Sequence, residues 1–251
     1  MPTLLLSPSI YTYDTIVLRR IALSQGWFVK RTSDDSGLKN IEHPIAVYGD
    51  QGYAYKIAHL LSIELVEVPL NWLCSLSHFY TKRCTHFCNL GSLDTFSTPL
   101  FVKPAQGREF PSKVYDSIEE LFTFSNDNHL QVISSEPVLW ELEFRCIIVD
   151  REVLTYSQYM KHRQLAELEP GGEPDSITDG LFAFLSTLLN DEDVEMPSTL
   201  VLDVGRIWER GWAVIEANPV WGSGLYKCDA EKAFTAIQKS CRSTKSQSLS
   251  T

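Results

Sequence analysis

Apolar residues recur along this chain with two periods, and each change of period marks an element. Near the C-terminus, Val201, Leu202 and Val204 are apolar and β-favouring, as are Trp212, Val214 and Ile215. Glu209-Arg210-Gly211 lies between them, and its glycine can supply the positive φ of a tight turn. The pattern predicts a hairpin. On a strand, residues two apart face the same way. Glu216 and Asn218 therefore project from one face of the second strand, and pairing brings Asp203 of the first strand beside them.

Strand and helix patterns alternate in the first ninety-odd residues. Strands are predicted at Leu4 to Leu6, Trp27 to Arg31, Ile45 to Tyr48 and Leu65 to Val68, and helices at Asp14 to Ser24, Ala54 to Leu61 and Trp72 to Phe79. Such alternation favours a parallel sheet. Asn89 to Pro99, with Gly, Ser, Thr and Pro, reads as a linker. The second unit opens on a strand at Leu100 to Pro104, followed by a turn and Lys113-Val-Tyr. Ser117 then caps a helix running to Phe124, with Glu120 at capping-box spacing. A strand at Gln131 to Ser134, a hairpin around Asp150-Arg151, and helices at Asp179 to Leu189 and Glu231 to Cys241 complete it. Glu167 to Asp175, acidic and rich in Gly and Pro, is read as a mobile loop. The expected division is an N-terminal α/β unit over 1–97, an α+β domain over 98–242, and a polar, disordered tail over 243–251.

Composition narrows the partners. The 251 residues are 44% hydrophobic and 22% charged, as in an ordinary soluble domain, with a formal net charge of −10. That acidity argues against a nucleic-acid scaffold, and it suggests that an anionic nucleotide arrives with a metal. No window reaches the apolar length of a membrane span, and the N-terminus has no basic region ahead of its short apolar run. Six cysteines in a chain of this size read as reduced thiols of a cytoplasmic protein. Cys84-Thr-His-Phe-Cys88 invites a zinc reading. It has no second Cys/His pair at finger spacing, so the two cysteines are expected to be buried or half-buried.

Two carboxylates and an amide oxygen, from Asp203, Glu216 and Asn218, form an all-oxygen set suited to Mg²⁺ carrying nucleotide phosphates. Two acids so close inside an apolar hairpin repel unless a cation lies between them. Lys103 ends a strand. Lys113 follows after a reversal, so the two lysines are expected to face one anionic ligand from paired strands. Ser135-Glu136-Pro137-Val138 sits at a strand end where proline breaks the ladder, leaving backbone groups to read a base edge. Glu143-Phe-Arg145 opens the next strand with both charges on one face. Each feature alone fits an ordinary surface charge, a same-face ion pair or a turn. Their occurrence as a set does not.

The phrases Phe101-Val-Lys-Pro104, Ser135-Glu-Pro-Val-Leu-Trp-Glu-Leu-Glu-Phe-Arg145, Leu202-Asp-Val-Gly-Arg-Ile207 and Gly211-Trp-Ala-Val-Ile-Glu-Ala-Asn-Pro-Val-Trp-Gly-Ser-Gly-Leu-Tyr226 stand in one order. In that order the chain resembles the ATP-grasp superfamily, RimK-like branch, R-two-K clade. The resemblance is good over about residues 98 to 230. Before that it is looser, carried by Tyr48-Gly49 and Lys82-Arg83-Cys84. It implies an ATP-grasp fold, α/β and α+β, behind a small N-terminal α/β unit. It implies ATP and Mg²⁺ as cofactors, with Lys103 and Lys113 on the nucleotide, Glu136, Pro137 and Val138 as the adenine hinge, and Glu143 near the ribose or substrate. Arg145 would meet the transferred phosphoryl group, and Asp203, Glu216 and Asn218 would hold metal. The implied activity is an ADP-forming carboxylate–amine ligase acting through an acyl phosphate on a small-molecule or peptide substrate. The rival readings are an inactive nucleotide-binding regulator and a small-molecule phosphotransferase. The phosphate loop departs from the family's glycine-rich form, having only Gly107. Oligomeric state is not legible.

Overall fold

The computed structural model describes residues 1–32, 34–38, 41, 43–95, 99–162, 164–165 and 175–244. Its first unit is a parallel three-stranded sheet. The strands are β1 (Thr3–Leu6), β2 (Phe28–Arg31) and β3 (Ile45–Tyr48), in the order β2-β1-β3. Helix α1 (Tyr13–Ser24) joins β1 to β2 and starts from a capping box between Thr12 and Thr15. Helix α2 (Gln51–Leu61) follows β3 and is capped by the Asp50 side chain. Central β1 is fully buried, with α1 on one face of the sheet and α2 on the other, which is why Leu4 to Leu6 reads as an unbroken apolar run.

The chain then leaves this unit through β4 (Ile63–Leu65) and two short helices, α3 (Trp72–Ser75) and α4 (His78–Thr81). Three expectations are corrected here. The strand expected at Leu65 to Val68 lies earlier. The helix expected from Trp72 to Phe79 is broken where Leu76 turns extended ahead of the Ser77 cap. The segment carrying Cys84 and Cys88 forms a strand, β5 (Thr85–Asn89), and Cys84 is exposed rather than buried.

A four-stranded antiparallel sheet follows, in the order β5-β8-β6-β7, with β6 (Leu100–Pro104), β7 (Lys113–Tyr115) and β8 (Gln131–Ser135). Helix α5 (Ile118–Phe122) is capped by Ser117, whose hydroxyl accepts the Glu120 N–H. Because β5 belongs to this sheet, the second unit begins before the expected boundary at 97/98. Residues 90–95, expected to be linker, form a 3₁₀ turn whose Leu90 and Leu93 are fully buried.

The largest sheet has five antiparallel strands, in the order β11-β10-β9-β12-β13. They are β9 (Trp140–Val149), β10 (Glu152–Lys161), β11 (Gln164–Leu165), β12 (Thr199–Ile207) and β13 (Gly211–Asn218), with α6 (Asp175–Asn190) inserted before β12. Both hairpins turn where expected. Asp150 and Arg151 take positive φ in the first, and Glu209 and Gly211 in the second. Of the loop expected to be mobile, residues 167–174 lie outside the described residues, and Asp175 begins α6.

The end of the chain returns to the beginning. Helix α7 (Ala230–Lys239) packs beside α1, and β14 (Cys241–Ser243) pairs with β4. Thr244 also bonds the Ser62 carbonyl, so the start of the expected tail is ordered structure. Residues 245–251 lie outside the described residues. Apolar residues on one face of the five-stranded sheet join α7 and the N-terminal unit in one core, while its other face packs against α3, α4 and α6.

Candidate functional site

Strand register builds one row of charge across the largest sheet. Asp203 on β12 pairs with Arg145 on β9 and with Glu216 on β13. Directly paired residues on neighbouring strands share a face, so these three side chains lie side by side. Glu143 and Asn218, each two residues along, share that face. Gly205 pairs with Glu143. A Cβ there would come within 2.6 Å of the Trp140 ring and 2.7 Å of the Leu142 carbonyl, so glycine leaves room for the Trp140 ring against β12.

Arg145 and Asp203 are both buried. The guanidinium donates from Nε to Asp203 Oδ1 at 2.9 Å and from Nη2 to Oδ2 at 2.6 Å. Its Nη1 donates to the Gly224 carbonyl at 2.7 Å. This is a bidentate, charge-assisted pair. Burial opposes the charge on Arg145, but the Asp203 hydrogen bonds outweigh it and Arg145 titrates above the usual arginine range. Burial pushes Asp203 up, and the guanidinium pulls it back. Arg145 also lies over the Tyr226 ring, 4.2 Å from its centroid, and Tyr226 stacks on Tyr159. The Tyr159 hydroxyl donates to Glu143 at 2.8 Å. Burial raises Glu143 above the usual carboxylate range, and the negative charges of Asp203 and Glu216 add to the rise.

Lys103 reaches this row from the other sheet. At the end of β6 its ammonium donates to Glu216 Oε2, while Asn218 Nδ2 donates to Oε1 at 2.9 Å. Burial works upward on Glu216, but the Lys103 charge outweighs it and holds the carboxyl below its ordinary value. Asn218 thus turns its amide nitrogen to Glu216 and keeps its oxygen for another partner. Six of the expected residues, Lys103, Glu143, Arg145, Asp203, Glu216 and Asn218, therefore gather between two sheets.

Lys113 does not join them, and the expectation that both lysines face one cleft is corrected. Lys113 pairs with Val102, not with Lys103. Neighbours along a strand face opposite ways, so Lys113 points to the face occupied by Val102 and Tyr115. There it pairs with Glu120 of α5 and lies against the Tyr115 and Phe124 rings. Glu136, Pro137 and Val138 lie in the connection that leaves β8 of one sheet and enters β9 of the other. The Glu136 carboxylate accepts the Cys84 N–H at 3.1 Å and Arg210 Nη1 at 2.6 Å. Both bonds lower its titration.

Sequence reasoning assigned no role to Arg83, Tyr159 or Tyr226. Buried Arg83 donates to the carbonyls of Thr81, Val214 and Ile215 and stacks on Trp140. Burial lowers its titration to about 10. It ties the start of β5 to the strand that carries Glu216. No local pattern marks a buried arginine that uses backbone carbonyls.

The family model for the ATP-grasp domain, R-two-K clade family 2, matches residues 80–236. The chain belongs to this ATP-grasp family. The match begins ahead of β5, in keeping with that strand's place in the second unit. Solved structures share the fold at low identity. N5-carboxyaminoimidazole synthetase from Staphylococcus aureus superposes with a TM-score of 0.55 at 10% identity, over 94% of this chain and 77% of that one. The ATP-grasp ligase PsnB complexed with minimal precursor gives 0.53 at 11% identity, over 95% and 98%. PsnB complexed with precursor peptide PsnA2 and AMPPNP gives 0.51 at 10%, over 95% and 96%. No curated protein matches in sequence. In this ATP-grasp chain the four-stranded and five-stranded sheets are the two jaws, and Lys103 with Glu216 spans them.

Proposed function

We propose that this protein is an ATP- and Mg²⁺-dependent carboxylate–amine ligase. ATP phosphorylates a substrate carboxylate, and an amine then displaces phosphate from the acyl phosphate to leave an amide, ADP and phosphate. The observation that carries the reading is the row of charge between the jaws, in which the cations Lys103 and Arg145 flank the adjacent carboxylates Glu216 and Asp203. Such a cluster is nearly neutral by itself. It suits a ligand that brings both signs, a polyphosphate and a divalent cation.

The donor set fits Mg²⁺. Glu216, Asp203 and the Asn218 amide offer oxygen alone, from one face of one hairpin, and each Asp203 oxygen keeps a lone pair beyond its bond to Arg145. When bound, Mg²⁺ supplies charge neutralisation for the phosphates. Lys103 would exchange Glu216 for a phosphate oxygen. Arg145, held in place by Asp203 and Gly224, retains two of its five N–H groups for charge developing on the transferred group. Half-buried Glu143, with its raised titration, is placed to take a proton from the incoming amine or to hold a ribose hydroxyl. The connection at residues 136–139 crosses from jaw to jaw and would carry the base.

The test is turnover of purified protein with ATP, Mg²⁺ and pooled carboxylates and amines, read by mass spectrometry. Condensed product with ADP supports the reading. AMP as the nucleotide product contradicts it, and so does ADP with a phosphorylated metabolite and no amide.

A further inference from the structure

The carboxyl edge of the N-terminal sheet carries polar groups that the ligase row does not use. Strand order β2-β1-β3 reverses at β1, and ligands of open parallel sheets bind at the carboxyl ends of strands beside such a reversal. Helices α1 and α2 both begin at that edge, so the positive ends of two helix dipoles open on it. Arg31, the last residue of β2, stands there half-buried. Its Nη1 donates to the Ser7 carbonyl at 3.3 Å and to the Ile10 carbonyl at 2.8 Å, and the Tyr11 ring lies 5.0 Å from the guanidinium carbon. Among the described residues no acid pairs with Arg31, and its Nε and Nη2 are uncommitted.

Two acids at the same edge, Asp50 and Asp14, are already engaged. Asp50 accepts from Ser7 Oγ at 2.9 Å, Ser9 Oγ at 3.2 Å and the Tyr53 N–H at 3.0 Å. Asp14 accepts the Leu225 N–H at 2.9 Å. Tyr53, in the first turn of α2, has a buried hydroxyl without a hydrogen-bond partner among the described residues, within range of the Asp50 and Arg31 charges. Buried hydroxyls are rarely left unpaired. The edge also runs directly into the charge row. The Gly49 N–H bonds the Trp221 carbonyl at 3.1 Å, and the Tyr48 hydroxyl bonds the Ser223 carbonyl at 2.9 Å. The next carbonyl, that of Gly224, is the one Arg145 holds.

We infer that this edge binds a second acidic group of the acid substrate, with Arg31 as its charged contact. A guanidinium held by one nitrogen, with the rest of its fork open, matches a carboxylate. The substrate class is then a small molecule or peptide with two acid groups, one held at Arg31 and the other presented to Arg145. The inference rests on the ligase reading for the fate of the second group, but its test does not need turnover.

Calorimetric titration of the full chain, with and without Mg²⁺ and AMPPNP, uses four probes: glutarate, the peptide Gly-Glu, acetate and inorganic phosphate. Glutarate or Gly-Glu is expected to bind at least tenfold more tightly than acetate, and whichever binds identifies a small acid or a peptide. Arg31→Gln should weaken that binding at least tenfold, Arg31→Lys should restore part of it, and both variants should bind Mg²⁺-ATP like the parent. Equal binding of the acids by wild type and Arg31→Gln overturns the inference. So does binding of phosphate alone. If no acid binds while Mg²⁺-ATP does, the inference fails and the nucleotide site stands. If the acids bind as described while turnover yields no amide, the ligase reading fails and the Arg31 site stands.

Discussion

Lys103 on one sheet and Glu216 on the other form an ion pair across the cleft, and Asn218 braces the carboxylate from the far side. Neither partner is fully exposed, so the pair is screened less than a surface salt bridge. Lys103→Met keeps the stem and removes the charge. Loss of one charged hydrogen bond to a phosphate costs about 1.5–3 kcal/mol, roughly ten- to a hundredfold in affinity. Titration of Mg²⁺-ATP into parent and variant measures it. Equal affinity would remove Lys103 from the site.

The same pair sets a pH dependence. Lys103 holds Glu216 below its ordinary value of 4.5, so the folded chain takes up that proton less readily than the unfolded chain. The stabilisation is fully present above pH 4.5 and is lost as pH falls through the lowered value. Melting temperature followed from pH 7 to pH 3 should show the difference between wild type and Lys103→Met shrinking as the pH falls, because without the lysine burial raises Glu216 and the variant takes up that proton first. A difference that stays constant down to pH 3 would contradict the pairing.

Asp203→Asn is expected to cost stability as well as function. Removing one member of a buried pair strands the other, at about 3–5 kcal/mol, whereas apolar replacement of both is far milder. Chemical denaturation of Asp203→Asn, Arg145→Met and the double variant Arg145→Met/Asp203→Leu forms the test. The double variant should be more stable than Asp203→Asn. The opposite order would mean that the pair is not the source of the loss.

Lys113→Met should leave Mg²⁺-ATP affinity within about twofold of the parent, because its side chain lies on the far face of the sheet from Lys103, paired with Glu120. A tenfold loss in the same titration would place Lys113 back at the nucleotide.

These contrasts show where sequence was sufficient. The β12–β13 hairpin was legible because apolar alternation and Gly211 fix both its period and its turn, and together they put Asp203 opposite Glu216. Parallel β1 and β3 were legible as short apolar runs. Strand β5 was not, since Thr85-His-Phe-Cys-Asn has no apolar run and is stabilised by pairing with β8. Turn length alone does not fix the face of Lys113, because side-chain alternation sends neighbouring positions to opposite faces. Arg145 was legible as a charge on the same strand face as Glu143. That it grips Asp203 was not, because the contact depends on register between strands far apart in sequence.

On the proposed reading, the cleft between the sheets holds ATP through Mg²⁺ on the oxygens of the β12–β13 hairpin. The direct measurement is the ATP dissociation constant by calorimetry as Mg²⁺ is raised from zero to millimolar, for wild type and for Glu216→Gln. Wild type should bind ATP at least tenfold more tightly with Mg²⁺, and Glu216→Gln should lose most of that gain while melting cooperatively. No binding of ATP at millimolar Mg²⁺, or an equal gain in the two proteins, would contradict the account.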